Sequence, residues 1–91
     1  MNWMEKAAAW DEKNPQFYEL FKRFAFEAIK AGKKRYAADL IFGAIRWHMS
    51  INTVGDDYKI NQNFRLYYVE KFMRDFPQHT GFFRTRRRAA A

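Results

Sequence analysis

Apolar residues along this chain recur in blocks with helical spacing, and each block ends on a residue that stops a helix. Trp3, Ala7 and Trp10 stand at i, i+4 and i+7 behind Asn2, which can cap a first turn. Asn14-Pro15 closes that segment and opens the next. Asn is suited to the N-cap, Pro loses nothing at the first helical position, and Glu19 falls in or just past the first turn, where the helix dipole favours an acid. Phe17, Leu20, Phe21, Phe24, Ala28 and Ile29 then form a broad apolar stripe to about Ala31, and Gly32 supplies a left-handed stop. A third helix is predicted after Lys33-Lys34-Arg35, with Ala37, Leu40, Ile41, Ala44 and His48 on one face and Tyr36 and Trp47 at its edges. Its C-terminal half, FGAIRWHMSI, is nearly all apolar, which predicts burial. Gly43 inside it costs up to about 1 kcal/mol of helix propensity, and so predicts the close approach of a neighbouring group such as Trp47.

The pattern changes over residues 50–60. Ile51, Thr53 and Val54 favour strand, Gly55-Asp56 favours a turn, and Tyr58 and Ile60 alternate with polar residues. A small hairpin and an irregular loop both fit. Asn61 then caps a fourth helix to about Phe76, with Phe64, Tyr68, Phe72 and Phe76 on one line and Leu66, Val69 and Met73 beside them. Pro77 ends it, and Gln78 to Gly81 form a turn. Phe82 and Phe83 are too apolar to stay in water side by side, so at least one must return to the core. From Phe83 the order Phe-Arg-Thr-Arg has period two, which predicts a short strand or extended arm over 82–86 with arginines outward. The expected fold is mainly α: a compact three- to four-helix domain with a minor β-hairpin or arm, spanning residues 1–88. Residues 89–91, three alanines, read as a loose tail or cloning remnant.

Composition supports a packed core in a short chain, because aromatics make up 20% of 91 residues. The chain has no cysteine, which removes disulfides, thiolate metal sites and cysteine nucleophiles and fits a reducing cytoplasm. No apolar run approaches the roughly 18 residues of a membrane span, and MNWMEKAAAW lacks the basic start and apolar stretch of a secretory signal. A cytoplasmic location away from membranes is the expectation.

Charge narrows the choice of partner. The net charge is +7, with +4 in residues 21–40 and +5 in residues 61–91. The excess lies in two blocks, at 22–35 and 84–88. Solubility asks for charge but not for clustering, whereas a phosphate-binding surface needs clusters. Lys33, Lys34 and Arg35 would grip phosphates near a helix start, and Arg84, Arg86, Arg87 and Arg88 would add an arm. Arg65, Lys71 and Arg74 are the basic candidates on the fourth helix, where Asn61, Gln62 and Asn63 could read adenine edges or simply cap the helix. DNA is the favoured nucleic acid. Tyr36, Trp47, Tyr58 and Tyr67 are candidates for stacking on single strands.

The helices over 15–31 and 36–49 are joined by about four residues that include a glycine. Ala28, Gly32 and Ile41 stand at offsets that resemble helix–turn–helix DNA-binding proteins, while Glu27 and Lys33 depart from that pattern. A plain helical hairpin accounts for the same two helices, and a winged-helix order with residues 84–88 as the arm is a further option. Catalysis has little support. His48, Asp56 and Asp57 fall within ten residues, but no paired histidines, no Asp-x-Asp and no phosphate-loop or nucleophile-elbow motif accompanies them, and His79 stands alone. Neither enzyme activity, nor a metal, nor a cofactor is expected.

The stretches NPQFYELFKRFAFEAIKAGKKRY, AIRWH, DDYKINQNFRLYYVEKFM and GFFRTR together resemble a group of small bacterial and phage or prophage proteins. That resemblance implies a mobile-element context: a small accessory protein acting on DNA or on a host complex that handles it. The rival to nucleic-acid binding is therefore a protein-binding inhibitor of a host defence nuclease or CRISPR complex.

Overall fold

A computed structural model describes residues 2–52 and 60–83; residue 1 and the segments 53–59 and 84–91 lie outside the described residues. Four α-helices follow in chain order: α1 (Trp3–Lys13), α2 (Pro15–Lys30), α3 (Ala38–Asn52) and α4 (Arg65–Asp75). Short 3₁₀ turns, Gln62–Phe64 and Pro77–His79, flank α4.

The helix ends show which local signals act. Asn2 caps α1, its side chain accepting from the Glu5 N–H at 2.8 Å. Asn14 does not cap α2 as expected. Its side-chain amide instead donates to the Trp10 carbonyl at 2.9 Å and closes α1, and α2 begins on Pro15 without a side-chain cap. Gly32, at φ +95°, stops α2. The Lys33 N–H reaches the Ala28 carbonyl (3.1 Å) and the Gly32 N–H reaches Ile29 (3.0 Å), the pair of bonds that closes a Schellman turn. Asn61 accepts from the Asn63 N–H at 2.9 Å and so caps the turn leading into α4.

The core is aromatic and joins α2, α3, α4 and the C-terminal strap. Phe17 and Phe21 of α2, Phe42 of α3, and Tyr68 and Phe72 of α4 are fully buried. Phe17 meets Tyr68 at 4.8 Å and Phe42 edge-on at 5.2 Å between ring centroids, both favourable geometries. Phe82 and Phe83 are both buried, and Phe83 lies 5.3 Å from Phe21 and 5.4 Å from Phe72. Fully burying a ring of this kind is worth about 1.5–3 kcal/mol.

α3 departs most from expectation. Its core face is Ala38, Ile41, Phe42 and Ile45, while Leu40, Trp47 and Ile51 are 57%, 64% and 58% exposed. Apolar residues line more than one side of this helix, so spacing alone does not choose a face. The choice falls to Phe17 and Phe21, which present ring faces and edges where Phe42 docks. Gly43 is not covered by Trp47, since a Cβ built there meets nothing within 4 Å. The helix also runs on through Ile51 to Asn52, where a small hairpin or an irregular loop was expected. The Ser50 hydroxyl donates to the Trp47 carbonyl (3.0 Å) and the Asn52 amide to the His48 carbonyl (2.7 Å), which satisfies the last turn. The rest of the expected hairpin, 53–59, lies outside the described residues.

The connection between α2 and α3 spans residues 31–37, longer than the expected turn of about four. Of the short strand or extended arm expected over 82–86, residues 84–86 lie outside the described residues, and Phe83 forms one isolated parallel bridge with Tyr36 and no strand.

Candidate nucleic-acid interface

The α2–α3 connection is a basic loop held at both ends. The Schellman turn fixes the backbone of Lys33. Three residues later the Tyr36 N–H donates to the Phe82 carbonyl at 2.8 Å, and the Tyr36 ring stacks on Phe82, centroids 6.1 Å apart and planes 10° from parallel. Lys33, Lys34 and Arg35 lie between these anchors, exposed, with no carboxylate partner among the described residues.

The second anchor ends on Phe83, the last described residue before Arg84. Phe83 is bridged to Tyr36 and buried between Phe21 and Phe72. Arg84, Arg86, Arg87 and Arg88 lie outside the described residues, but the point from which they continue is beside Tyr36, next to Arg35.

The basic residues of α4 are placed differently. Lys71 is ion-paired with Asp11 of α1 and sits 4.3 Å from the centre of the Tyr18 ring. Arg65 is paired with Asp39 of α3, and its Nε–H donates to the Gln62 carbonyl at 2.8 Å. Arg74 is exposed and without a carboxylate partner among the described residues. Of the three α4 candidates, two are thus engaged in joining helices, and Asn61 is spent as a cap. The structure sets Phe83, the residue before Arg84, beside the loop of Lys33, Lys34 and Arg35, and does not assemble a row of free polar side chains along α4.

Sequence reasoning missed Asp11, the buried charged residue at the α1–α4 junction, only 7% exposed. Its carboxylate accepts from the Tyr67 hydroxyl (3.0 Å) and the Tyr68 hydroxyl (3.2 Å) as well as from Lys71. The Tyr18 hydroxyl donates to Asp75 at 2.7 Å. Burial, then the hydrogen bond to Asp11, push the Tyr67 phenol up to about 12; burial and the bond to Asp75 raise Tyr18 as well. The signal was available: Asp11 stands four residues after Ala7, on the face of α1 that enters the core.

The stacking candidates divide in the same way. Tyr36 is half-buried against Phe82, Tyr67 bonds Asp11, and Tyr58 lies outside the described residues, which leaves Trp47 exposed. His48 lies edge-on to Phe24 at 5.7 Å, and His79 meets the Phe26 ring at 5.5 Å. Asp56 and Asp57 lie outside the described residues. Among the described residues no three His, Cys, Asp or Glu side chains gather where they could hold a metal ion, and no helix is long and apolar enough to cross a membrane.

No family model, curated protein or solved structure matches this chain.

Proposed function

We propose that this protein binds nucleic acid, DNA in preference, without catalysis, through phosphate contacts at the α2–α3 edge. Lys33, Lys34 and Arg35 supply one part of the contact. Arg84, Arg86, Arg87 and Arg88 supply the other, continuing from the strap that ends at Phe83. The observation that supports this reading is the Tyr36–Phe83 bridge, which sets the residue before Arg84 beside the residue after Arg35. Uncompensated cations clustered at one edge suit a polyanion, whose affinity for them comes largely from released counterions.

The reading is one of charge and shape and not of base edges. A recognition helix offers polar side chains to the major groove. The outward side of α3 offers Leu40, Trp47 and Ile51 instead, and the longer α2–α3 connection departs from the tight turn of a helix–turn–helix.

Binding to a duplex of arbitrary sequence tests the proposal. Affinity should fall steeply as salt rises, with a log–log slope of about 0.9 for each phosphate contact. In the Lys33→Ala, Lys34→Ala, Arg35→Ala triple variant that slope should shrink by about 2.7, the loss of three such contacts, while the unfolding midpoint holds. No binding at low salt, or a triple variant with an unchanged slope, would refute it.

A further inference from the structure

α3 is apolar on two sides, and only one of them is used. Ala38, Ile41, Phe42 and Ile45 face the core. Leu40, Ala44, Trp47 and Ile51 follow at i, i+4, i+7 and i+11, a second line running down nearly the opposite side of the helix, with Gly43 at its margin. Its three large side chains are more than half exposed. The line carries no charge, in a chain of net charge +7.

We propose that this outer face of α3 is a homodimer interface, formed by two antiparallel copies of the helix about a two-fold axis that passes between residues 45 and 46. The order of side chains is self-complementary about that point. Leu40 falls opposite Ile51 of the second copy, and Trp47 falls opposite the second copy's Ala44, with Gly43 alongside. A large indole therefore meets a notch made of the two smallest residues on the helix, and the symmetry supplies the same contact twice. Gly43 gains its reason here. A Cβ at that position meets nothing within 4 Å, so the chain's own packing does not require glycine, yet glycine inside a helix costs about 1 kcal/mol against alanine. A notch that admits a second helix at close range does require it.

Size and charge fit this occupant. Leu40, Trp47 and Ile51 together expose on the order of 350 Å² of apolar side chain, at the scale of the largest apolar patch on an ordinary monomer. Pairing two such faces with their polar flanks covers roughly 1,000–1,200 Å², the lower end for a specific interface, where weak and transient association is found. The antiparallel arrangement opposes the two helix dipoles, and the absence of charge on the line lets two cationic chains meet where neither repels the other directly.

Sedimentation velocity over a wide concentration range, from about 1 µM to several hundred µM, tests the proposal, because a small interface of this kind is expected to be transient. The unaltered chain should pass from monomer to dimer, and more readily in high salt, because screening weakens the mutual repulsion of two positive chains. That dependence is opposite in sign to phosphate binding, so the two proposals stand or fall separately. Two variants probe the geometry. Trp47→Glu removes the knob, and Gly43→Leu fills the notch while adding apolar surface. Each should weaken association by about tenfold or more while keeping its helical circular dichroism. A chain that stays monomeric throughout would overturn the dimer and leave the face to another protein. A dimer that survives both substitutions would place the interface elsewhere. Association that Gly43→Leu strengthens would mean a merely sticky patch and would overturn the notched pairing.

Discussion

The α1–α4 junction and the α2–α3 edge are both rich in charged and aromatic side chains, and they handle them in opposite ways. At the junction one carboxylate, Asp11, serves a lysine and two tyrosine hydroxyls, and the lysine rests against the ring of a third tyrosine. Among the described residues, no buried side-chain nitrogen or oxygen is left without a partner. At the edge, three consecutive cations are exposed, with no carboxylate partner among the described residues. A buried charge must be matched or the fold weakens, whereas an exposed one costs the fold almost nothing and stays free to act. The difference separates cations that hold helices together from cations available to a partner, a distinction that a count of lysines and arginines does not make.

The largest effect that can break this comparison comes from Asp11. Asp11→Ala would leave the Lys71 ammonium and two phenol hydroxyls without their acceptor, and should cost about 3 kcal/mol or more of stability in urea unfolding. The three-alanine variant at 33–35 should change stability by only a few tenths of a kcal/mol per site. If Asp11→Ala cost under about 1 kcal/mol, water would be reaching the junction and the two regions would not differ in kind.

How much of this was legible beforehand depends on whether a local rule decided the matter. Asn2, Pro15, Gly32 and Asn61 mark helix ends through chemistry confined to a few residues, and the helices begin or stop at them. That at least one phenylalanine of the strap joins the core was readable, because two adjacent rings cannot both stay in water, and the structure buries both. α3 was not readable, because apolar residues line two of its sides and only the rings of α2 decide which one is buried. The α4 cations show a similar gap. Lys71 and Arg65 look like any exposed bases in the sequence, and the carboxylates that engage them lie 60 and 26 residues away. Spacing along one helix cannot reveal a partner on another.

A smaller effect sharpens the same contrast through pH. Tyr67 is raised to about 12 and Tyr18 is raised too, while an unfolded tyrosine ionises near 10. Above pH 10 the unfolded chain releases these protons and the folded chain does not, so the unfolded state is favoured. The stability contributed by the two neutral phenols is complete below pH 10 and is lost as pH climbs through 12. Loss of the helical circular dichroism and growth of tyrosinate absorbance should therefore coincide above pH 10, and Tyr67→Phe should make the alkaline loss shallower. Tyrosinate appearing in full near pH 10 with the helices intact would mean that the junction is not shielded.

Between the two regions stands Asp39, and it gives the smallest and most selective effect. It lies in the first turn of α3, three residues beyond Tyr36, and pairs with Arg65 across to α4. Its side chain is 62% exposed and that of Arg65 41%, so the pair resembles a surface contact worth about 0–1 kcal/mol more than it does the buried one at Asp11. Asp39→Asn keeps the size of the side chain and removes the charge that holds Arg65. Stability should fall by no more than about 0.5 kcal/mol. The net charge at this end of the molecule should rise by one, and if phosphates dock on the α2–α3 edge, the salt slope of duplex binding should steepen by about 0.9, one further contact. An unchanged slope would put Arg65 outside the reach of the bound backbone and confine the interface to the loop and the segment beyond Phe83. A loss of stability as large as that of Asp11→Ala would move this pair into the structural class and leave the loop as the one group of free cations at the start of α3.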